Sequence, residues 1–457
     1  MNREETLALY EQGVEAWNKW ANEMLEERKK LEEAGEWKFK TESHSLTVPG
    51  NDQTKLWFEK SKADFSNADT PHKFKDHIDF SDFIFPGHTD FSNSIFFDTA
   101  IFDNCLFSHN TNFSDVIFKN FTQFLKATFK RNATFHDCIF SDIAIFTLTK
   151  FKKLAFFDNT EFNGTTYFIN NKFADQAYFT GVRFNNKISF MSSKFLKQTS
   201  FENSEFNSQT DFCLAEFFSY ADFESIYSKR SFSFEKAKFH GELPNLIQAN
   251  FTEAPRLDNI KFGSDIPPGN FKNSITTFIH PDIKARYQAL KRLAVQAHDH
   301  ENEQRFWAGE LRSDNSLRTE DGGWNLRPLV SAFWWGNIAY GCVSDYGRSI
   351  VRPIGALLIL ICLMTTLHLT ASKTPLTYDK AFSAGYISAN KSFLYLGTDP
   401  TKRSIIKEKY SALYGANENQ TPKIPKTILT AEFVQTLLSA IFIFLALLGI
   451  RNNFKMK

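Results

Sequence analysis

Phenylalanine stands at a fixed interval through the middle of this chain, and that interval constrains the fold more than any other feature. Phe80, Phe91, Phe102, Phe113, Phe124, Phe135, Phe146, Phe157, Phe168, Phe179, Phe190, Phe201, Phe212, Phe223 and Phe234 form an unbroken series with a step of 11. A second series from Phe85 to Phe239 interleaves with the same step and fails only at Ser228, so spacings alternate five and six. Phe74 extends the ladder upstream, and after a one-residue slip Leu246, Phe251, Leu257 and Phe262 resume it. Two residues before each ring the side chain is usually small: Ala, Ser, Thr, Cys or Val fills 24 of 30 such slots. Positions i−2 and i of an extended segment face the same side. Steps of five and six drift around a 3.6-residue helical turn, which excludes a helix. The pattern predicts a β-solenoid whose short segments each lay one Phe and one small residue into a shared interior.

Segments such as Ala221-Asp222-Phe223, Ala249-Asn250-Phe251 and Thr210-Asp211-Phe212 match the unit A(D/N)(L/F)XX, and over about residues 63 to 262 the chain resembles the pentapeptide-repeat family. The resemblance implies an all-β right-handed quadrilateral β-helix with four repeats, here 22 residues, to a coil. Eight to nine coils would then separate residues 74 and 262. Ser228, the bulky Phe232 in a small slot and the slip at Gly241 to Pro244 predict a bulge or bend between about 227 and 246.

Ahead of the ladder, Leu7, Tyr10, Val14, Trp17, Ala21 and Met24 fall on one helical face, and EQGVEAWNKW resembles the helical leader of many such proteins. A solenoid has open ends that invite aggregation, so this leader is expected to cap one. Residues 1–62 are thus expected to form the cap and leader, and 63–271 the β-helix. Residues 272–345 should hold a helical hairpin, with Ile283, Tyr287, Leu290, Ala294 and Ala297 on its first stripe, and an interfacial aromatic segment with Trp324, Phe333, Trp334, Trp335, Tyr340 and Tyr346.

Two apolar runs in 346–457, about 353–371 and 428–450, approach the ~20 residues a bilayer core requires and predict two transmembrane helices. SDYGRSIVRPI and the ending RNNFKMK resemble the membrane-anchored subset of the family. The first 30 residues are charged throughout, so no secretory signal is expected there. An inner (cytoplasmic) membrane location with the β-helix and both termini cytoplasmic follows, although nine Lys or Arg in the 373–427 connection count against that topology.

No Gly-rich phosphate loop, H-E-x-x-H or C-x-x-C pair occurs. Cys105 and Cys138 occupy small inward slots, and His298, His300, Glu301 and Glu303 read as a solvated helix junction. No catalytic, cofactor or metal site is expected, and the protein is not expected to be an enzyme. The expected partners are the lipid bilayer, a protein of unknown identity and possible copies of the chain itself. The expected function is a membrane-anchored scaffold presenting its β-helical rod to a protein partner, with an oligomeric membrane effector or pore as the alternative and a DNA mimic behind both. Gln435, Thr436, Ser439 and His368, with Thr365 and Thr366, could line a pore or glue helices together. The 20 basic and 24 acidic residues of 63–262 are too balanced for a convincing DNA mimic, so no nucleic-acid contact is expected.

Overall fold

The computed structural model describes residues 1–41, 47–66, 73–263, 282–313, 332–372, 377–393, 400–416 and 421–455. The chain divides into two compact units, Met1–His298 and Asp299–Lys457.

The first unit is built on four parallel sheets visited in rotation by two-residue strands. The first face runs from Ala63–Asp64 to Ala221–Asp222, the second from Lys73–Phe74 to Asn250–Phe251, the third from Ile78–Asp79 to Phe232–Ser233, and the fourth from Ile84–Phe85 to Lys261–Phe262. Nine strands on each longer face make about nine coils. The first strand pairs 26 apart at Ala63↔Thr89, but from Lys73 to Phe239 partners lie 22 residues apart, as in Phe107↔Phe129 and Phe118↔Phe140. That register brings ladder rings into columns. Phe124–Phe146, Phe146–Phe168 and Phe168–Phe190 stack with centroids 4.8, 4.6 and 5.0 Å apart and planes within 9°. Rings 11 apart meet edge to face instead, Phe113 and Phe124 at 5.5 Å and 89°, so both favourable aromatic geometries are used at once. The first-series rings are at most 1% exposed.

Two kinds of corner explain the alternation of five and six. At the five-residue corner the N–H of Phe83 closes onto the carbonyl of Phe80, and Asp82 between them has φ of 64°, as a type II turn demands. This left-handed position recurs every 11 residues, often as Asn or Asp, for example Asn93, Asn104 and Asp115. The Asp or Asn just before the ring caps the same turn: Asp79 accepts from Ser81 N–H at 2.8 Å, and Asp211 from Cys213 N–H at 2.8 Å. Three residues after the ring, small side chains reach the carbonyl of a ring one coil earlier. Cys105 donates to Phe80 O at 2.9 Å, Cys138 to Phe113 O at 2.8 Å and Thr149 to Phe124 O at 2.7 Å. Burial pushes both thiols up, so they stay protonated donors.

Pairing does not break at the expected weak point. Ser228 pairs with both Phe206 and Phe251, and the ring missing at 228 is supplied from the adjacent face. Phe232 packs edge-on against Phe206 and Phe251, each at 5.2 Å. The one-residue slip is confined to His240–Pro244: the register is 22 at Phe217↔Phe239 but 23 at Asp222↔Asn245 and Phe239↔Phe262. The bulge is therefore a corner, and the strands at 227–228 and 232–233 stay regular.

Both ends of the stack are covered. The leader is two helices, α1 (Arg3–Tyr10) and α2 (Val14–Glu33), broken at Gly13 with φ of 87°. Trp17 is fully buried and donates to Ile84 O at 2.9 Å, while Asn18 accepts from Ile84 N–H and donates to Asp82 O, each at 2.9 Å. These side chains stand in for a missing coil. An antiparallel pair, β1 (Phe39–Thr41) and β2 (Thr47–Pro49), leads to α3 (Asp52–Ser61), whose Trp57 donates to Met24 O at 2.7 Å. At the other end lies α4 (Ile283–Gln296). Its Arg286, 1% exposed, donates to Leu243 O at 3.1 Å and lies over the Tyr220 ring; Arg292 and Gln296 reach Ala249 O and Phe251 O. The first helix of the expected hairpin thus packs on the last coils.

The second unit holds α5 (His300–Ser313), α6 (Ala332–Ser344), α7 (Val351–Ala371), α8 (Tyr378–Ser392), α9 (Pro400–Tyr414) and α10 (Lys426–Lys455). Helices α7 and α10 are long and apolar enough to cross a membrane. Their apolar residues point outward: Ile359 is 63% and Phe433 72% exposed. Of the expected aromatic segment, Trp324 and the side chains of Phe333 and Trp334 lie outside the described residues, Trp335 is exposed, and Tyr340 packs edge-on against Tyr346 at 5.5 Å. The 373–427 connection between the two long helices, read from the sequence only for its charge, contains α8 and α9.

Candidate functional site: a buried polar network among the apolar helices

Helix α8 carries Ala384, Ile387, Ser388 and Ser392 at helical spacing, and α9 carries Ile406, Tyr410, Leu413 and Tyr414. Their apolar members pack together with Leu369 of α7. The same faces bring polar groups inward against α7 and α10. Glu432 of α10 is 2% exposed and sits at the centre. Tyr410 Oη donates to its Oε1, His368 Nε2 of α7 lies 3.6 Å from the same oxygen, and Lys391 Nζ of α8 lies 3.2 Å from Oε2. His368 Nδ1 and Tyr414 Oη are 2.8 Å apart. One turn on, Gln435 donates through Nε2 to Ser388 O at 2.8 Å and to Ser392 Oγ at 2.9 Å.

Of the predicted residues, His368, Gln435 and Ser439 are all buried to within 1%, and Thr436 is half-buried. They face neighbouring helices of the same chain. Thr436 turns to the carbonyl of Glu432 at 2.9 Å, and Thr365 and Thr366 bond back onto α7 at Ile361 O and Leu363 O and take no part in the network. Sequence reasoning missed Lys391, Tyr410, Tyr414, Ser388 and Ser392. The signal was the helical stripe Ile406, Tyr410, Leu413, Tyr414 inside a segment read only for its charge.

A buried carboxylate is costly unless cations and donors compensate it. Glu432 has Lys391, Tyr410 and His368 around it, which ties α7, α8, α9 and α10 to one charge. Chemically the set can hold a negative charge away from water and pass a proton among groups in hydrogen-bond reach. Among the described residues Ser388 Oγ, Gln435 Oε1 and Ser439 Oγ are buried without a hydrogen-bond partner. Among the described residues, no three His, Cys, Asp or Glu are arranged to hold a metal. A comparison of the chain with family models, curated proteins and solved structures finds no match, so the parallel β-solenoid of 22-residue coils joined to two long apolar helices stands on its own sequence and geometry.

Proposed function

We propose that this protein is a membrane-anchored scaffold of the pentapeptide-repeat kind, non-catalytic, held by α7 and α10 in an inner membrane and offering its β-helix to a protein partner from the cytoplasmic side. The observation that carries the reading is the solenoid surface. Each outward residue is held one coil from its neighbour, about 4.8 Å away, in columns such as Glu161, Arg183 and Glu205, where Arg183 bridges both carboxylates at 2.8 and 3.9 Å. A rigid, regular array is preorganised for a partner and loses little entropy on binding.

One observation favours a second reading, an oligomeric membrane effector: the buried network around Glu432 and Gln435, since ionisable groups inside apolar helices mark ion or proton paths by default. Cross-linking the full chain in native membranes, followed by mass determination in detergent, separates the two. The scaffold reading expects a complex with a different protein, retained by Gln435→Leu and lost when Glu161, Arg183 and Glu205 are replaced by Ala. A homo-oligomer that conducts ions in vesicles, with conduction lost in Gln435→Leu, overturns it in favour of the effector.

A further inference from the structure

Between α2 and the corner that follows the fourth face runs a groove of about 570 Å³. Six cationic side chains line it: Arg28 and Lys29 from the helix, and Lys130, Arg131, Lys152 and Lys153 from two successive coils. Among the described residues, the only carboxylate in its lining is Glu32, already engaged by Arg28 at 2.8 Å. Lys153 approaches Asp175 at 3.7 Å and Lys29 approaches Glu33 at 3.8 Å, both beyond hydrogen-bond distance. Lys130, Arg131 and Lys152 make no ion pair among the described residues.

The 22-residue coil places Lys130 directly below Lys152 and Arg131 below Lys153, and the adjoining strands stack Lys150 on Lys172 and Lys172 on Lys194. Like charges stacked this way repel. The lattice does not impose the arrangement, because on the second face the same geometry alternates Glu161, Arg183 and Glu205. Burial, followed by His88, Arg131 and Arg28, holds the neighbouring His109 imidazole down at about 4. So concentrated a positive charge suits a compact polyanion, and Arg forks and Lys ammoniums are the groups that bind phosphate. A volume of this size suits a small molecule, and a helical wall on one side suits it better than a flat lipid surface.

We propose that this groove binds a small soluble ligand carrying two or more phosphate groups, one near the Lys130–Lys152 pair and another near Arg131 and Arg28. Binding neutralises a stack of like charges that the solenoid otherwise holds together. The site is independent of the polar network and of whichever reading of the membrane part holds.

The test is calorimetric titration of the full chain in uncharged detergent with sodium tripolyphosphate and, separately, ATP. Saturable binding is expected. The double variant Lys130→Gln/Lys152→Gln should weaken it by at least about tenfold, and Lys172→Gln/Lys194→Gln, outside the groove, by less than about twofold. The groove variant should also melt no lower than the parent without ligand, which separates lost binding from lost fold; should it unfold, Arg131→Gln alone serves the same purpose. Absence of saturable binding, equal loss in both double variants, or binding only to phosphatidylglycerol vesicles with no competition by tripolyphosphate overturns the proposal.

Discussion

A single ring in this solenoid touches rings above, below and across, so its removal leaves a cavity that rigid coils cannot close. Phe124→Ala or Phe146→Ala is expected to cost about 3–5 kcal/mol, read as a shift in the denaturation midpoint with m unchanged. The left-handed corner position carries the opposite opportunity. Leu148 and Leu214 hold φ of 60° and 59° with side chains 40% and 45% exposed, a conformation that costs an L-residue other than Gly, Asn or Asp roughly 1–2 kcal/mol. Leu148→Asn should raise stability by about 1 kcal/mol, measured by thermal melting; a fall would mean that the leucine packs on its corner neighbours more than it strains the turn. His109 supplies a pH signature. Its folded value near 4 lies below the unfolded 6.5, so the unfolded chain binds the extra proton and stability falls as pH drops from 6.5 toward 4. The loss is on the order of 2–3 kcal/mol, and His109→Gln should flatten that part of the melting-temperature profile.

Within an element, the exchange at 228 and 232 shows that the core conserves volume across faces more strictly than it conserves the ladder along the chain. Ser228 sits in a ring slot and Phe232 in a small slot, yet the strands remain paired because one ring fills the other's place. Ser228→Phe alone should overpack by about 1–3 kcal/mol and Phe232→Ser alone, which leaves a ring-sized cavity, should cost about 3–5 kcal/mol. Ser228→Phe/Phe232→Ser should be closer to the parent than either, with the coupling measured in a double-mutant cycle; additive losses would show that the two sites do not share a cavity. The rhythm was legible in the sequence because every coil repeats the same chemistry. Compensation between faces was not, since it depends on a ring four residues on, Phe232, ending inside against Phe206 and Phe251, the neighbours of the 228 slot.

Across the whole molecule, the end of the solenoid unit at His298 changes where a free-standing rod should be cut. Arg286, Arg292 and Gln296 of α4 occupy carbonyls of the last coils at Leu243, Ala249 and Phe251. A fragment of residues 1–298 is expected to be monomeric and β-rich by circular dichroism and light scattering. A fragment ending at 275 is expected to self-associate through the uncovered coil; equal behaviour of the two would show that α4 is not a cap. In the second unit, Glu432→Gln should be tolerated far better than Lys391→Met, which leaves a buried carboxylate without its cation at about 3–5 kcal/mol, read by thermal aggregation in detergent.

Interval and polarity along the chain suffice for the solenoid, its 11-residue rhythm and two long apolar helices, because a periodic core and a bilayer-length helix are each specified by local spacing alone. The left-handed corners were also written locally, in the Asn and Asp two residues past the ring, though they become readable only once the turn is known. Folding in three dimensions settled the rest. It brought Lys391 and Tyr410 to Glu432 from a segment that reads as a basic loop, split the leader at Gly13, moved Ile283–Gln296 onto the last coils, and set Arg28 opposite Lys130. Apart from the local break at Gly13, each of these joins residues far apart in sequence through non-repeating contacts, and no period in the chain encodes where such contacts fall.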